Sequence, residues 1–291
     1  MVNQNLKNVV AVITGSSRGV GRGIAVALGR HGATVYVTGR SAKAGDSPFP
    51  GTVFEAAEEV TAAGGVGIPV VCDFSDDAQI KKLFQQVERE QGKLHILVNN
   101  ASVIPPELYS PGPFWTKSID IVALLDVGLR SSYIASYYAA PLLVRGGRGV
   151  VVNTSTYGAS SYIHGPVYGA QKAGHDKLAT DMAIDFREHN VAAVSYWFGA
   201  VATERHEMAV ANLPPGEGYG GVFKVIEGRE FGGHVLAAMY NDSALMQRSG
   251  QVIIVAELAQ EYGIKDVGDV EPPSYRGVLG FPHVQHPSII V

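Results

Sequence analysis

Short apolar runs rich in valine and isoleucine recur along the chain, separated by longer stretches in which polar and apolar residues mix. Continuous apolar runs of this length are typical of strands that are covered on both faces. Seven of them predict buried strands: Val9 to Ile13, Thr34 to Val37, Val66 to Val71, Leu94 to Val98, Gly149 to Val152, Val191 to Trp197 and Gln251 to Val255.

Most of the stretches between these runs have apolar residues at helical spacing. One stretch carries them at Val20, Ile24 and Leu28, and another at Leu83 and Val87. Strands that alternate with helices form parallel β-α-β units. The pattern therefore predicts the α/β fold class, with a seven-stranded, doubly wound parallel sheet and helices on both of its faces.

We expect a single domain over residues 1–291, because no linker of disordered composition and no repeat divides the chain. Three irregular, turn-rich stretches interrupt the pattern: Ser41 to Gly51, Leu213 to Gly221 and Gly268 to Val291. Each is either a plain surface loop or tail, or a lid or subunit contact. We expect a substrate lid near residues 204–222 and an irregular C-terminal tail over residues 264–291.

Composition narrows the cellular setting. The net charge is −4, the isoelectric point is near 6.1, and lysine and arginine form no basic tract, so we expect no nucleic-acid partner. The single cysteine, Cys72, cannot form an internal disulfide, which fits a reducing compartment. No apolar stretch is long enough to cross a bilayer. These features predict a soluble, cytoplasmic protein without a membrane span.

The first apolar run leads directly into a glycine-rich turn, Thr14 to Gly21, after which helical spacing begins. Glycines let the backbone approach a diphosphate closely, and the N–H groups at a helix N-terminus attract its negative charge. The spacing is Gly-x-x-x-Gly-x-Gly, which differs from the Gly-x-Gly-x-x-Gly dinucleotide fingerprint. The turn predicts cofactor contacts from six residues: Gly15, Ser17, Arg18, Gly19, Val20 and Gly21.

The second apolar run ends at Thr38-Gly39-Arg40, where an acid usually binds the ribose 2′-hydroxyl of NADH. No carboxylate occurs there, whereas Arg40 and Arg18 can together bind a 2′-phosphate. The sequence therefore favours NADPH/NADP⁺ as the cofactor, with NADH less favoured. The alternative is two solvated arginines in loops.

Together with this turn, four other features resemble the short-chain dehydrogenase/reductase family over nearly the whole chain. They are the Cys72-Asp73 pair, Asn99 to Ala101 (NNA), Ser155 after a strand, and Tyr168 to Lys172 (YGAQK). Two longer segments are similar to one branch of the family whose substrates are poorly defined: Val127 to Tyr133 and Ser249 to Gly263.

The resemblance implies a Rossmann fold and NAD(P)-dependent carbonyl and alcohol chemistry, with the cofactor lying across the carboxyl ends of the strands. By motif match it also implies further cofactor contacts. These are Asp73 and Phe74 beside the adenine, Asn99 and Ala101 in the cofactor channel, and Thr203 at the nicotinamide carboxamide, with Gly199 and Val201 in the same segment.

Ser155, Tyr168 and Lys172 are the predicted catalytic residues. Ser155 follows an apolar run, at the strand edge where parallel sheets bind ligands, and Tyr168 and Lys172 lie one turn apart on one helix face. A carbonyl that accepts a hydride needs a proton, which Tyr168 would donate. The Lys172 ammonium favours the phenolate and can bind the nicotinamide ribose, and the Ser155 hydroxyl can bind the substrate oxygen. The alternative is a surface Tyr-Lys pair and a turn serine.

The resemblance is incomplete at Gly128, which stands where many family members have an asparagine that anchors a water chain leading to the lysine. The proton path to Lys172 is therefore an open question, and one hypothesis is that backbone carbonyls and water near Gly128 supply it. Three smaller departures, at Ser102, Thr156 and Phe198, affect detailed contacts more than the class of reaction.

Several aromatic residues are predicted near the nicotinamide end, which suits a hydrophobic substrate. The predicted substrate contacts are Ser155, Tyr157, Tyr162 and His206, although such residues are often part of the core. The leading hypothesis is an NADPH-dependent reductase of a hydrophobic ketone or aldehyde, without a metal. The alternatives are an NAD(P)⁺-dependent alcohol dehydrogenase working in the oxidative direction and a non-catalytic NADPH-binding sensor. By analogy with relatives, we expect a homodimer or homotetramer.

Overall fold

The computed structural model describes residues 5–211, 222–286 and 288–290, and within them the chain forms one parallel sheet. The strands are β1 Val10–Ile13, β2 Thr34–Gly39, β3 Val66–Val71, β4 Ile96–Asn99, β5 Gly149–Thr156, β6 Val191–Phe198 and β7 Val252–Ile254. Their order is β3-β2-β1-β4-β5-β6-β7, and every neighbouring pair is parallel. The seven predicted strands and the Rossmann-like α/β fold are confirmed.

Helices connect the strands, as the spacing of apolar residues predicts. The helices are α1 Gly19–Arg30, α2 Val53–Ala62, α3 Asp77–Gln91, α4 Ser131–Gly146, α5 Pro166–Asp185, α6 Glu204–Ala211, α7 Phe231–Asn241, α8 Val255–Tyr262 and α9 Arg276–Leu279. A π-helical turn, Leu124–Arg130, leads into α4. The spacing of apolar residues does not predict this π-helical turn.

Side chains of each inner strand alternate between two apolar layers. In β1, Ala11 and Ile13 belong to the layer that includes Leu28 of α1, whereas Val10 and Val12 belong to the layer on the opposite face, which α3, α4 and α5 cover. Because both layers are buried, the sheet is covered on both faces, as the continuous apolar runs indicate.

The strand β3 differs from this expectation because it lies at the edge of the sheet. Its terminal residues Val66 and Val71 are exposed, so the prediction of a fully buried strand is wrong here. Pro69 explains why β3 belongs at an edge, since proline has no N–H to donate to a further strand.

The order of the strands positions the site. Successive strands run outward in opposite directions from β1 and β4, which opens a crevice at the carboxyl ends of these two strands. The glycine turn follows β1, and β5, which carries Ser155, pairs with β4. The two groups of predicted functional residues therefore face the same crevice edge.

The predicted lid and tail are partly described. The lid begins with α6, while the turn-rich stretch 213–221 lies outside the described residues. The predicted tail contains α9 and a buried residue, Tyr275. Among the residues that the structure describes, no helix is long and apolar enough to cross a membrane.

Candidate active site

Strand β5 and helix α5 bring the three predicted catalytic residues together. Ser155, the penultimate residue of β5, donates a hydrogen bond from Oγ to the Lys172 carbonyl oxygen over 3.1 Å. Lys172 Nζ donates to the Thr154 carbonyl oxygen, also over 3.1 Å, and lies 5.5 Å from the centre of the Tyr168 ring. The ammonium is therefore anchored to β5 and directed to the face of the phenol.

The Tyr168 ring is packed from two sides. A side chain at Gly158 would place its Cβ 2.6 Å from Tyr168 Cε1, so only glycine leaves room for the ring there. The His164 ring meets Tyr168 edge-on, with the ring centres 5.1 Å apart. Burial raises the pKa of Tyr168, while a hydrogen bond with the Thr156 side chain opposes that shift. The phenol is therefore held in its protonated form at neutral pH.

Lys172 is buried, and burial lowers its pKa to about 8, with the nearby Asp176 carboxylate acting in the opposite direction. Asp176 is itself fixed, because its Oδ1 accepts hydrogen bonds from Ser195 Oγ over 2.6 Å and from Trp197 Nε1 over 3.0 Å. The Lys172 ammonium is thus present at neutral pH but releases its proton more easily than a solvated lysine does.

The glycine turn has the close backbone approach that a dinucleotide site needs. Gly15 has φ +64°, and a Cβ there would lie 2.7 Å from Ala101 Cα. A Cβ at Gly21 would lie 2.6 Å from the Gly15 oxygen. Asn100 holds the turn through Nδ2, which donates to the carbonyl oxygens of Thr14 and Gly15. The turn therefore packs directly on the end of β4, with no room for side chains at Gly15 and Gly21, and this close backbone packing is what a cradle for a diphosphate requires.

The start of α1 carries the remaining residues of the turn. Ser17 is buried with its Oγ toward Gly39, and Val20 packs against the apolar layer that contains α1. The Gly19 N–H donates to Glu204 Oε2 over 2.9 Å, and Glu204 Oε1 accepts from Arg229 over 2.7 Å. Glu204, which the sequence analysis missed, thus connects the first residue of α6 to the glycine turn.

Two arginines lie near the end of β2: Arg40 follows the strand directly, and Arg18 comes from the glycine turn. Arg18 Nη2 donates to Ser41 Oγ over 2.8 Å and to the Gly51 carbonyl oxygen over 2.6 Å. The Arg40 guanidinium is exposed and lies 4.0 Å from the Asp73 carboxylate. Ser41, which was not predicted, therefore stands beside Arg18 in this cationic corner.

The other predicted cofactor residues have mixed surroundings. Phe74 and Ala101 are buried, and Phe74 packs in the apolar layer beside α3. Asn99 is fully buried, and its amide nitrogen donates to Ser136 Oγ and Asn153 Oδ1, so it joins β4, β5 and α4.

At the end of β6, the Gly199 N–H donates to Glu227 Oε1 over 2.9 Å, and Val201 pairs with Glu227 in an isolated bridge. The Thr203 methyl group lies 3.6 Å from the position of a Cβ on Gly19. Glu227, also missed from the sequence, is buried, and burial raises its pKa to about 8. A neutral carboxyl group therefore holds the segment predicted to lie near the nicotinamide.

The predicted substrate residues other than Ser155 have different surroundings. Tyr157 is 1% exposed, packs against Trp197 and accepts a hydrogen bond from the Tyr275 N–H, so it lies in the core beneath the site. Tyr162 is 83% exposed. His206 is half-buried in α6, where its N–H donates to Thr203 Oγ1.

The smaller departures have local roles. Ser102 Oγ accepts from the Gln171 amide over 3.2 Å, and Thr156 Oγ1 accepts from the Gly158 N–H over 3.2 Å. Phe198 packs in the core, where a Cβ on Gly232 would lie 2.3 Å from its Cε1.

Comparisons with known proteins agree with this geometry. Residues 9–213 match the family model described as short chain dehydrogenase. The chain is 39% identical over 267 residues to dehydrogenase/reductase SDR family member 1 of Homo sapiens, covering 89% of this chain and 83% of that protein. The Mus musculus protein of the same name is 38% identical over 271 residues, covering 90% and 84%. These relatives typify the branch indicated by Val127 to Tyr133, so that prediction is confirmed.

Solved structures share the fold at lower identity. A short chain dehydrogenase from Mycobacterium thermoresistibile aligns with a TM-score of 0.72 and 22% identity, covering 92% of this chain and 91% of that one. A 7α-hydroxysteroid dehydrogenase, solved with NADH and 7-oxo glycochenodeoxycholic acid, aligns with a TM-score of 0.71 and 22% identity, covering 92% and 97%.

Proposed function

The chain belongs to the short-chain dehydrogenase/reductase family and is an oxidoreductase that uses NAD(P)H, and from this premise we propose that it is an NADPH-dependent reductase of a hydrophobic ketone or aldehyde. The observation that carries the proposal is the cluster of Ser155, Tyr168 and Lys172 at the carboxyl end of β5, at the same sheet edge as the glycine turn. The reaction is reversible in vitro.

In this mechanism the chain supplies a proton and orients the carbonyl. NADPH, when bound in the cradle of the glycine turn, supplies the hydride. The Ser155 hydroxyl binds the substrate oxygen, and Tyr168 donates its phenolic proton to that oxygen as negative charge develops. The Lys172 ammonium, held by the Thr154 carbonyl, stabilises the phenolate that remains.

Reduction is the proposed direction at neutral pH. Burial raises the pKa of Tyr168, so the phenol carries the proton that reduction of a carbonyl requires. The same residue would accept a proton in the reverse reaction, so oxidation by an NAD(P)⁺-dependent alcohol dehydrogenase is the second candidate, and the substrate panel below distinguishes the two.

The preference for NADPH rests on the end of β2. Arg40 is exposed, and Arg18 and Ser41 lie beside it with their hydrogen-bonding groups in contact. Because β2 is followed by Arg40 and not by an acid, the corner suits a 2′-phosphate better than a 2′-hydroxyl. We assign the remaining cofactor contacts to the glycine turn and to the segment from Gly199 to Thr203.

A hydrophobic substrate is supported by aromatic residues beside Tyr168. Tyr109 stacks edge-on against His164, which in turn meets Tyr168. Phe114 and Trp115, in the same loop as Tyr109, are exposed.

We further propose that Tyr162 and His206 contribute to the substrate site beside Tyr168. We also propose that the protein is cytoplasmic and that it forms a homodimer or homotetramer.

The test is a panel of ketones, aldehydes and quinones, with consumption of NADPH followed by its fluorescence and with NADH in parallel. We expect turnover of apolar carbonyls that is faster with NADPH than with NADH. Turnover only of alcohols with NADP⁺ would favour the dehydrogenase. Tight NADPH binding without turnover of any compound would favour the sensor and overturn the proposal.

A further inference from the structure

A buried histidine lies one helical turn beyond Lys172 on α5. His175 is 1% exposed, and the spacing of three residues places it on the same side of α5 as Lys172. The proposed reaction gives it no role. A buried imidazole has two ring nitrogens, and each of them needs a hydrogen-bond partner.

Both nitrogens of the ring face backbone carbonyl oxygens. Nδ1 lies 2.8 Å from the Thr154 oxygen in β5, and Nε2 lies 2.9 Å from the Gly128 oxygen in the π-helical turn. The Ser132 hydroxyl of α4 lies 3.2 Å from Nε2. The ring therefore bridges three elements of the fold: α4 with its leading turn, β5 and α5.

The contacts select one tautomer of the neutral ring. Burial and the nearby Lys172 lower the pKa of His175 to about 4, so the ring carries one proton at neutral pH. With that proton on Nδ1, the ring donates to Thr154, and Nε2 accepts from Ser132 once the single hydroxyl proton turns from the Gly128 carbonyl toward the ring. With the proton on Nε2, the unprotonated Nδ1 would face the Thr154 oxygen, and no hydroxyl lies there to turn toward it. The Nδ1–H tautomer is therefore the one in which both ring nitrogens can have a partner.

His175 and Lys172 share a single acceptor. The Thr154 carbonyl oxygen accepts from Lys172 Nζ over 3.1 Å and from His175 Nδ1 over 2.8 Å. The backbone is tied as well, because Asn153 Nδ2 donates to the His175 carbonyl oxygen over 3.0 Å. The residue that precedes Ser155 in β5 thus receives both side chains, and its carbonyl cannot turn without moving the ammonium.

The space around Gly128 in the π-helical turn is filled by neighbouring side chains. A Cβ on Gly128 would lie 2.0 Å from Gln171 Nε2, so no side chain fits there while the fully buried Gln171 keeps its place. The Gly128 carbonyl oxygen lies 2.6 Å from Ser132 Oγ and 2.9 Å from His175 Nε2, so two side chains already cover it. The hypothesis that this carbonyl is open to a water chain is therefore less favourable than the sequence suggests.

We propose that His175 is a positioning residue for Lys172: its Nδ1–H fixes the Thr154 carbonyl that holds the ammonium, and Ser132 fixes the tautomer of the ring. The proposal rests on the proposed reductase function only for its catalytic consequence. The arrangement of the ring, Thr154 and Lys172 belongs to the folded protein and can be tested without turnover.

Few charged groups of the described residues lie around Lys172 and His175. On α5 the titratable groups that face Lys172 and His175 are Tyr168 and Asp176. The contacts that the described part of the chain makes with them from β5 and α4 come from neutral groups, the Thr154 carbonyl and the Ser132 hydroxyl. A change in the pKa of Lys172 on substitution of His175 would therefore report the shared Thr154 carbonyl.

The first experiment is nitrogen NMR of the imidazole rings in the full chain without substrate, with the His175 signal assigned from its loss in His175→Asn. We expect the proton on Nδ1 at neutral pH. We expect Ser132→Ala to shift the proton toward Nε2, because the Gly128 carbonyl is then the better partner. A proton on Nε2 in the unmodified protein would overturn the proposal.

The second experiment is steady-state kinetics with three substitutions. Asn keeps a donor near the position of Nδ1, Gln places its donor near Nε2, and Leu has no donor. We expect His175→Leu and His175→Gln to lower kcat by about ten-fold, His175→Asn to recover part of it, and the KM for NADPH to change by less than about three-fold in all of them.

His95→Leu is the matched control. His95 is also buried and accepts from the Val10 N–H over 2.9 Å, at the end of β1 and β4 away from the catalytic residues. It should lower the melting temperature without changing kcat or its pH profile. A kcat for folded His175→Leu within about two-fold of the unmodified protein would overturn the proposal.

If the protein turns over no carbonyl compound, the proposed function fails, and the NMR result still decides the role of His175. In that case the carbon NMR titration of Lys172 Cε replaces kinetics. We expect its midpoint near pH 8 in the unmodified protein, shifted upward in His175→Leu because the Thr154 carbonyl then serves the ammonium alone. An unchanged midpoint would overturn the proposal.

Discussion

The glycine turn after β1 and the interior between α4, β5 and α5 lie at the same edge of the sheet, but they are built in opposite ways. The turn uses residues without side chains, and its Gly15 and Gly21 let the backbone pack against β4 and against itself. The interior uses buried polar side chains, among them Asn99, Ser132 and His175, each hydrogen-bonded across elements. The glycine turn depends on the absence of side chains at Gly15 and Gly21, and the polar interior depends on the positions of buried side-chain atoms.

The difference predicts how each half fails. In the glycine turn, an added methyl group should displace the backbone and weaken cofactor binding. In the polar interior, a change of one polar atom should alter proton affinity or the position of a neighbour, because buried polar groups without partners are costly. Four substitutions follow in order of expected effect: those at Gly15 and Gly128 test the contrast directly, and those at Glu227 and Arg40 extend it to a buried and an exposed polar group elsewhere at this edge of the sheet.

The largest effect is expected at Glu227, where burial raises the pKa of the carboxyl group to about 8. The group stays protonated in the folded protein at pH 7 but ionises on unfolding. The protonated carboxyl group therefore contributes fully to the stability of the folded protein below its ordinary pKa, and this contribution is lost as the pH rises toward 8. Compared with the unmodified protein, Glu227→Gln should gain about 3 kcal/mol of stability between pH 4 and pH 7. Denaturant unfolding at both pH values measures this, and parallel pH dependence in the two proteins would refute it.

The next effect is expected at Gly15, where φ is +64° and a Cβ would lie 2.7 Å from Ala101 Cα. Gly15→Ala should weaken NADPH binding by about 100-fold in a protein that still folds, because overpacking against backbone costs about 1–3 kcal/mol. Gly92→Ala is the control, since Gly92 has φ +70° with nothing within 4 Å of its Cβ position. Equal losses in fluorescence titrations of both variants would show that φ alone matters.

A smaller effect is expected at Gly128. Gly128→Ala should cost about 2 kcal/mol, because its Cβ would lie 2.0 Å from Gln171 Nε2. Adding Gln171→Ala should recover part of this loss, since the obstacle is removed. Thermal unfolding of both single variants and the double variant gives the interaction free energy. Strictly additive losses would mean that Gln171 does not fill the space above Gly128.

The smallest effect is expected at Arg40, which is exposed. Arg40→Ala should raise the KM for NADPH by about ten-fold and leave the KM for NADH nearly unchanged, because one charge-assisted contact is lost. Lys43→Ala serves as a control for a neighbouring exposed charge in the same loop. Equal changes with the two cofactors would remove the basis for the NADPH preference.

The same contrast explains what the sequence could predict. The strands, the glycine turn and the Tyr168–Lys172 pair depend on local spacing, and local spacing is visible in the chain. Other contacts join distant residues: His175 and Gly128 in the polar interior lie 47 positions apart, and Glu204 and Gly19 at the glycine turn lie 185 positions apart. No local pattern around these residues in the sequence predicts such partners.

Aromatic residues were the hardest to place from the sequence. Tyr157 and Tyr162 follow β5 closely, yet one is in the core and the other is 83% exposed. The exposed edge strand β3 was also unpredictable, because its apolar composition resembles that of the inner strands and only Pro69 marks the edge.

The role of Tyr168 as proton donor in carbonyl reduction is tested by the substitution Tyr168→Phe. The rate of NADPH consumption is measured with the best carbonyl substrate, together with the dissociation constant for NADPH from fluorescence titration. We expect a loss of turnover of about 1,000-fold or more, with NADPH binding within about three-fold of the unmodified protein. Turnover close to that of the unmodified protein would mean that another group donates the proton.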